Sequence, residues 1–274
     1  MDYKRILTVQ DISCVGQCSI TVALPILSAC GFETCVLPCS ILSNHTTGFD
    51  GYSYRDMAGE MPLIRQQWQR QNIKFSAIYS GYMGSIQQLE NLKSILGNCL
   101  EDCGRVIVDP AMADGGVLYP GLDDAFVAKV KEIVPYAHWL LPNVTEACLL
   151  TDTPYRENYD EAFIRKLLEK LVLLGCSNVV ITGVSYSEGY TGVATYADGI
   201  YGYYCHRKIE KSVPGTGDVF ASVFTGAILK GYAAKKAAGI AADFVVDCLE
   251  ETVKHPNHSY GPVFEPVLKK LTEI

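Results

Sequence analysis

Short apolar segments alternate with longer amphipathic ones along almost the whole chain, and this alternation most restricts what it can fold into. Arg5–Gln10 (RILTVQ) reads as a buried strand, followed by a turn at Gly16 and a helix over Ser19–Cys30 that Gly31 ends. Glu33–Cys39 is the next strand, and Tyr54–Asn72 has helical spacing with Met57, Met61, Ile64 and Trp68 on one face. Further strands are expected at Phe75–Ser80, Arg105–Asp109, His138–Leu141 and Asn178–Thr182. Helices are expected over Ile86–Cys99 and Tyr159–Leu174, the second closed by Gly175. Gly189–Ala197 and Gly202–Arg207 read as an antiparallel pair turning at Asp198-Gly199. From Asp218 onwards the chain is Ala-rich and helical, broken near Gly231 and at Pro256.

Continuous apolar strands separated by amphipathic helices define an α/β fold, with a central, mostly parallel β-sheet flanked by helices on both faces. The 274 residues show no linker, repeat or low-complexity stretch, so residues 1–274 are expected to form a single domain. The longest strongly apolar run, Val219 to Leu229, stops at Lys230, far short of the ~20 residues that cross a bilayer. With 23 Lys and Arg against 30 Asp and Glu, the net charge is −7, and no basic block favours nucleic acid. The first residues lack the apolar core and cleavage site of a secretion signal, so a cytoplasmic protein is expected. Its eleven cysteines are then reduced thiols that mostly fill the core. Cys14 and Cys18, Cys35 and Cys39, and Cys99 and Cys103 are spaced by four rather than by the zinc-knuckle interval.

In open parallel sheets ligands sit at the carboxyl ends of the strands, which selects the residues worth reading. Val213-Pro214-Gly215-Thr216-Gly217-Asp218 precedes a helix, and its two glycines let backbone N–H groups converge on an anion at the helix start. An acid there could take a proton from a group held beside the anion; the same residues also suit a plain helix start with an Asp cap. Asp109-Pro110, Asp114-Gly115-Gly116 and Asn143-Val144-Thr145-Glu146 follow adjacent strands. Their hard oxygens suit Mg²⁺ carried on nucleotide phosphates, although each alone is also ordinary turn chemistry. His45 in Ser43–Gly48, and Tyr82 after Gly81, could meet a flat ligand or serve as common surface or core residues. No G-x-x-x-x-G-K-[ST] or G-x-G-x-x-G phosphate loop is present.

These pieces together resemble the ribokinase superfamily and, within it, the vitamin-kinase branch of pyridoxal and pyridoxamine kinases. The matching segments are SNHTTGFDGY at Ser43–Tyr52, SGY at Ser80–Tyr82, VDPAMAD at Val108–Asp114, PNVTEA at Pro142–Ala147, VVITG at Val179–Gly183 and GTGD at Gly215–Asp218. The resemblance implies a ribokinase-like fold and a kinase that uses ATP with Mg²⁺, in some members with a monovalent cation, on the 5′-hydroxymethyl group of a B6 vitamer. It implies Asp218 as general base beside an anion hole of the Gly215, Thr216, Gly217 and Asp218 N–H groups. Asp109, Asn143 and Glu146 would hold Mg²⁺ and its waters, and Asp114 and Thr182 would lie by the nucleotide phosphates. Asp11, Cys18, His45, Thr46 and Tyr82 would surround the pyridine ring, in a protein that is commonly a homodimer.

The chain departs from some members of the branch. Asp11 stands where they carry Ser, Leu141 where some carry Thr, Thr46-Thr47 adds one Thr, and the Asp114–Gly121 loop is short. The nearest alternative is hydroxymethylpyrimidine kinase, which carries a Gly-rich G-S-D…G-G-A-G stretch where this chain has Gln10–Gly16. A non-catalytic B6 carrier would need neither Asp218 nor the Asp109 and Glu146 pair.

Overall fold

The computed structural model describes residues 4–274. In chain order the elements are β1 (Arg5–Ser13), α1 (Ile20–Ala29), β2 (Glu33–Leu42), β3 (Tyr54–Asp56), α2 (Met61–Arg70), β4 (Phe75–Ser80), α3 (Ile86–Cys99) and β5 (Leu100–Val108). A small hairpin, β6 (Ala113–Asp114) and β7 (Val117–Leu118), leads to α4 (Asp124–Lys131), β8 (Trp139–Leu140), α5 (Val144–Leu150), α6 (Glu161–Leu173) and β9 (Val179–Val184). The chain continues through β10 (Tyr190–Ala197), β11 (Ile200–Arg207), α7 (Thr216–Leu229) and α8 (Ala234–Val253).

Nine strands form one sheet in the order β11-β10-β9-β8-β5-β4-β1-β2-β3. From β9 to β2 all neighbours are parallel; β3 at one edge and β10 and β11 at the other run antiparallel. The sheet is mixed at its margins and parallel where both faces are covered, as the continuous apolar strands require. One face carries a core of Leu7, Val9, Ile78, Val108 and Ile181 with helices α3 to α6. The other carries Ile6, Tyr79, Ile107 and Val180 beneath α1, α7 and α8. Successive strand residues thus enter opposite cores, which is the period-2 alternation of a β-strand.

Side-chain caps fix several helix starts. Ser85 accepts the Gln88 N–H (3.3 Å), Asp123 that of Phe126 (2.9 Å) and Asp160 that of Phe163 (2.9 Å). The helix expected over Tyr54–Asn72 is shorter than its spacing suggests. Tyr54, Arg55 and Asp56 pair with Leu42, Ile41 and Ser40 as an edge strand, and helix begins only at Met61 with Pro62 in its first turn. Helix α4 and the β6–β7 hairpin were not expected, and α5 occupies Val144–Leu150 where only a strand-end loop was expected. Every cysteine is free; Cys18, Cys30, Cys39, Cys99, Cys148, Cys176 and Cys248 are buried, whereas Cys14, Cys103 and Cys205 are exposed.

Phe224 of α7 is fully buried, edge-on to Trp139 (ring centroids 5.2 Å) and alongside Phe220 (6.0 Å). Phe224→Ala is expected to lower the unfolding free energy by about 3–5 kcal/mol. The check is a urea midpoint at unchanged slope; a loss of less than about 1 kcal/mol would show that this core is not what fixes α7 on the sheet.

Candidate active site

β1 lies between β2 and β4, and the chain leaves the two halves of the sheet in opposite directions from this point. The strand ends part there, which makes the crevice in which open α/β sheets bind ligands. β4 stops at Ser80, while β1 continues to Ser13 beside β2. Asp11 therefore lies inside β1, not just after it, at the register break between Gln10 and Ile12. Its carboxyl is buried, takes the Ser13 hydroxyl at 3.4 Å, and is pushed above the usual carboxylate range by burial. Gly81 lets the chain leave β4 here, because a side chain would run into the Gln10 amide. Tyr82 follows; burial, then the Asp11 charge, hold its phenol in the protonated form.

The Gly215–Asp218 segment reaches the same crevice from α7. Gly215 is left-handed (φ 86°), and any side chain on it would run into the Gln17 carbonyl oxygen. This turn leaves the N–H groups of Thr216, Gly217 and Asp218 without acceptors inside the helix, at the positive end of its dipole. Gln17 is itself tied down. Its N–H donates to the Tyr260 carbonyl (3.0 Å) and its side-chain amide to Glu265 (2.6 Å). Tyr260 packs on Phe49 (ring centroids 5.2 Å), so the C-terminal segment buttresses both loops of the crevice.

Asp109 and Glu146 lie on the other side of Asp218. The Asp109 carboxylate accepts the Ala111 N–H at 3.2 Å. Glu146 closes a capping box on α5. It accepts the Asn143 N–H (2.8 Å) and gives its own N–H to the Asn143 side chain (2.9 Å). Its other oxygen takes the N–H groups of Met112 (2.8 Å) and Ala113 (3.3 Å), and the Asn143 amide donates to the Ala113 carbonyl (2.7 Å). Asn143 and Glu146 thus anchor the β6–β7 hairpin to the start of α5, an occupation the sequence reading did not foresee.

Burial dominates the electrostatics. It pushes Glu146 up to about 7 against three N–H donors, and Asp218 up to about 7 against the Ser19 N–H, with Asp11 adding to the rise. The helix start alone would keep Asp218 ionised; burial outweighs it. Asp109 is held well above the ordinary range by burial, then by the charges of Glu146 and Asp218. No ion pair among the described residues involves Asp11, Asp109, Glu146 or Asp218. Nor, among those residues, is any group of three or more His, Cys, Asp or Glu side chains placed to hold a metal ion alone. Oxygen-only donors that repel one another fit a hard cation that brings part of its coordination with it.

Asp218 joins the two sides. Burial and the charges of Asp11 and Asp218 hold the buried Cys18 thiol protonated. The Tyr119 phenol, just beyond the hairpin, is raised by burial and by Glu146, Asp109, Asp114 and Asp218. The remaining candidates stand further out. The His45 ring takes the Thr47 N–H of its own loop (3.0 Å), and Thr46 is exposed. Asp114 is exposed at the hairpin, holding the Gly115 N–H (2.8 Å). Thr182 sits within β9, bridged to Asn143 through the backbone. Sequence reasoning missed Ser19, Gln17 and Tyr119. Only Tyr119 left a signal, an aromatic just after the Asp114-Gly115-Gly116 turn.

The sequence profile of the phosphomethylpyrimidine kinase family matches residues 28–264. The chain belongs to that family. It is 28% identical over 263 residues to the pyridoxine/pyridoxal/pyridoxamine kinase of Bordetella avium, covering 89% of this chain and 84% of that one. It is 35% identical over 153 residues to the hydroxymethylpyrimidine/phosphomethylpyrimidine kinase of Bacillus subtilis, a match that spans about half of each chain (54% and 55%). A Bacteroides thetaiotaomicron protein assigned as a phosphomethylpyrimidine kinase, solved with pyridoxal, superposes with a TM-score of 0.94 at 30% identity, over 100% of this chain and 96% of that one. Pyridoxal kinase from Lactobacillus plantarum gives a TM-score of 0.91 at 29% identity, covering 98% and 97%. The chain is therefore a kinase of the pyridoxal and hydroxymethylpyrimidine kinase group, with the ribokinase-like fold. Among the described residues no helix is long and apolar enough to cross a membrane.

A carboxyl that binds its proton more tightly when folded lowers stability as pH rises from its unfolded value of 3.8 through its folded value of about 7. Asp218→Asn removes that penalty. The melting-temperature difference, variant minus wild type, should be more positive at pH 8 than at pH 5; an equal or smaller difference at pH 8 contradicts the burial account.

Proposed function

We propose that the protein transfers the γ-phosphoryl group of ATP to the 5′-hydroxymethyl group of a B6 vitamer, with Asp218 as general base. Asp11 carries this reading. It is a carboxyl buried at the switch point, on the Asp218 wall of the crevice, in no ion pair among the described residues, with only the charge of His45 across the crevice to favour its ionised form. A pyridine nitrogen supplies the missing ion-pair partner, because one proton shared between ring and carboxyl satisfies both. The Bordetella relative and the pyridoxal-bound Bacteroides protein support the same substrate class.

The residues supply the parts that phosphoryl transfer needs, which are position and charge control. Asp218 accepts the hydroxyl proton as that oxygen bonds to the γ-phosphorus and the bond to the departing ADP breaks. The N–H groups of Thr216, Gly217 and Asp218 face the charge that builds on the phosphoryl oxygens. Tyr82 and Asp11 orient the ring. Mg²⁺ bound with ATP would neutralise phosphate charge, and Asp109 would hold it, with Asn143 and Glu146 fixing the neighbouring hairpin.

The family match and the Bacillus relative favour a second reading, a kinase for hydroxymethylpyrimidine. An ADP-release assay with pyridoxal, pyridoxine, pyridoxamine and hydroxymethylpyrimidine separates the two. Turnover on at least one vitamer is expected, lost with chelator and restored by Mg²⁺ while the circular dichroism stays unchanged. Asp11→Ala should raise the vitamer KM about tenfold or more and leave the ATP KM nearly unchanged, since hydrogen bonds to charged groups contribute about 1.5–3 kcal/mol. Turnover of hydroxymethylpyrimidine alone moves the assignment to the second reading.

A further inference from the structure

Gln88, in the first turn of α3, is a polar side chain with 0% exposure to solvent. A buried amide is costly unless its oxygen and its two N–H groups find partners. Those of Gln88 do, and none of the partners lies on α3. Its oxygen accepts the Gly84 N–H (2.7 Å). Its nitrogen donates to the Cys39 carbonyl on β2 (3.0 Å) and to the Asp56 carboxylate on β3 (2.8 Å), with the Tyr54 hydroxyl at 3.5 Å. These partners fix which end of the amide is which, since an NH2 turned toward Gly84 would face another donor.

The segments joined in this way are the two that carry the residues expected around the ring. Gly84 ends the turn that holds Tyr82, and the Tyr82 carbonyl accepts the Cys39 thiol (3.3 Å). β3 follows the loop that holds His45 and Thr46, and Ser43 and Ser53 close the base of that loop. The Ser43 N–H donates to the Ser53 carbonyl (3.1 Å), and the Ser53 N–H donates to the Ser43 hydroxyl (2.9 Å). A Cβ on Gly84 would lie 3.0 Å from the Tyr54 hydroxyl and 3.5 Å from the Tyr82 hydroxyl. The two phenols therefore come together over the residue whose N–H Gln88 holds.

We propose that Gln88 is a positioning residue that sets the width of the ring site, by holding the Tyr82 turn and the β2–β3 edge at one separation. A single planar amide spans both segments, so its own dimensions set their spacing. Tyr82 meets the ring and Gln88 does not. The effect of Gln88 therefore falls on ring binding, and not on the nucleotide or on phosphoryl transfer.

This inference rests on the kinase reading above, and two variants of the full chain test it beside wild type. Gln88→Met keeps the length of the side chain but leaves the Gly84 N–H without its acceptor. The Cys39 carbonyl and the Asp56 carboxylate keep the N–H groups of Met57 (2.9 Å) and Ala58 (2.8 Å). Gln88→Met should raise the KM of the ring substrate about five- to tenfold, with kcat and the ATP KM within about twofold. Asp56→Ala removes one tie from an exposed position, so it tests the clamp without disturbing the core. It should raise the same KM about threefold, with kcat and the ATP KM again within about twofold. A purely structural amide predicts a lower melting temperature with the ring KM unchanged in both variants, and that result overturns the proposal. An equal rise in the ATP KM overturns it as well. The substrate used is whichever hydroxymethyl compound wild type phosphorylates. A wild type inactive on every one contradicts the kinase reading and the Gln88 assignment together, whereas active wild type with an unaffected ring KM in the variants contradicts Gln88 alone.

Discussion

Carboxyl groups crowded into a crevice, none of them in an ion pair among the described residues, set the terms for the rest of this site. Asp11, Asp109, Glu146 and Asp218 are raised by burial before any neighbour acts; Asp109 is raised further by Glu146 and Asp218, and Asp218 by Asp11. Such an arrangement is unfavourable unless positive charge arrives from outside the chain. A metal-bearing nucleotide and a ring nitrogen that shares a proton are the two partners that relieve it. Until they arrive, backbone N–H groups and protonation keep the centre folded, as the three donors on Glu146 show.

The fold makes this crowding possible by parting its strands at β1. The crevice gathers residues from several strand ends and from the starts of α1, α5 and α7, each held by backbone geometry rather than by salt bridges. The register break at Asp11, the left-handed turn at Gly215 and the strained serine at the start of α1 occur together around the same point. Strain of this kind is commonly stored where reacting groups must be positioned.

Much of this was legible in the sequence, for identifiable reasons. The strands at Phe75–Ser80 and the helix over Ile86–Cys99 were read to the residue, because apolar period and capping agree there. The antiparallel pair around Asp198-Gly199 followed from turn chemistry. The helix expected from Tyr54 failed because Tyr54 and Arg55 suit either an edge strand or a helix, and only pairing with β2 decides. Gly215 and Asp218 were visible as a motif. The structural work of Asn143 and Glu146 was not, because a capping box and a metal site use the same residue types at the same spacing. Ser19 was hidden for the opposite reason: serine at a helix start is ordinary, and only its dihedral angles and its missing cap bond set it apart.

The central claim is that Asp218 takes the proton from the attacking hydroxyl. The direct measurement is kcat for Asp218→Asn with ATP and the preferred hydroxymethyl substrate, alongside dissociation constants for both ligands. The account predicts that kcat falls about 10²–10⁴-fold while both dissociation constants stay near wild type. Turnover close to wild type in that variant would contradict it.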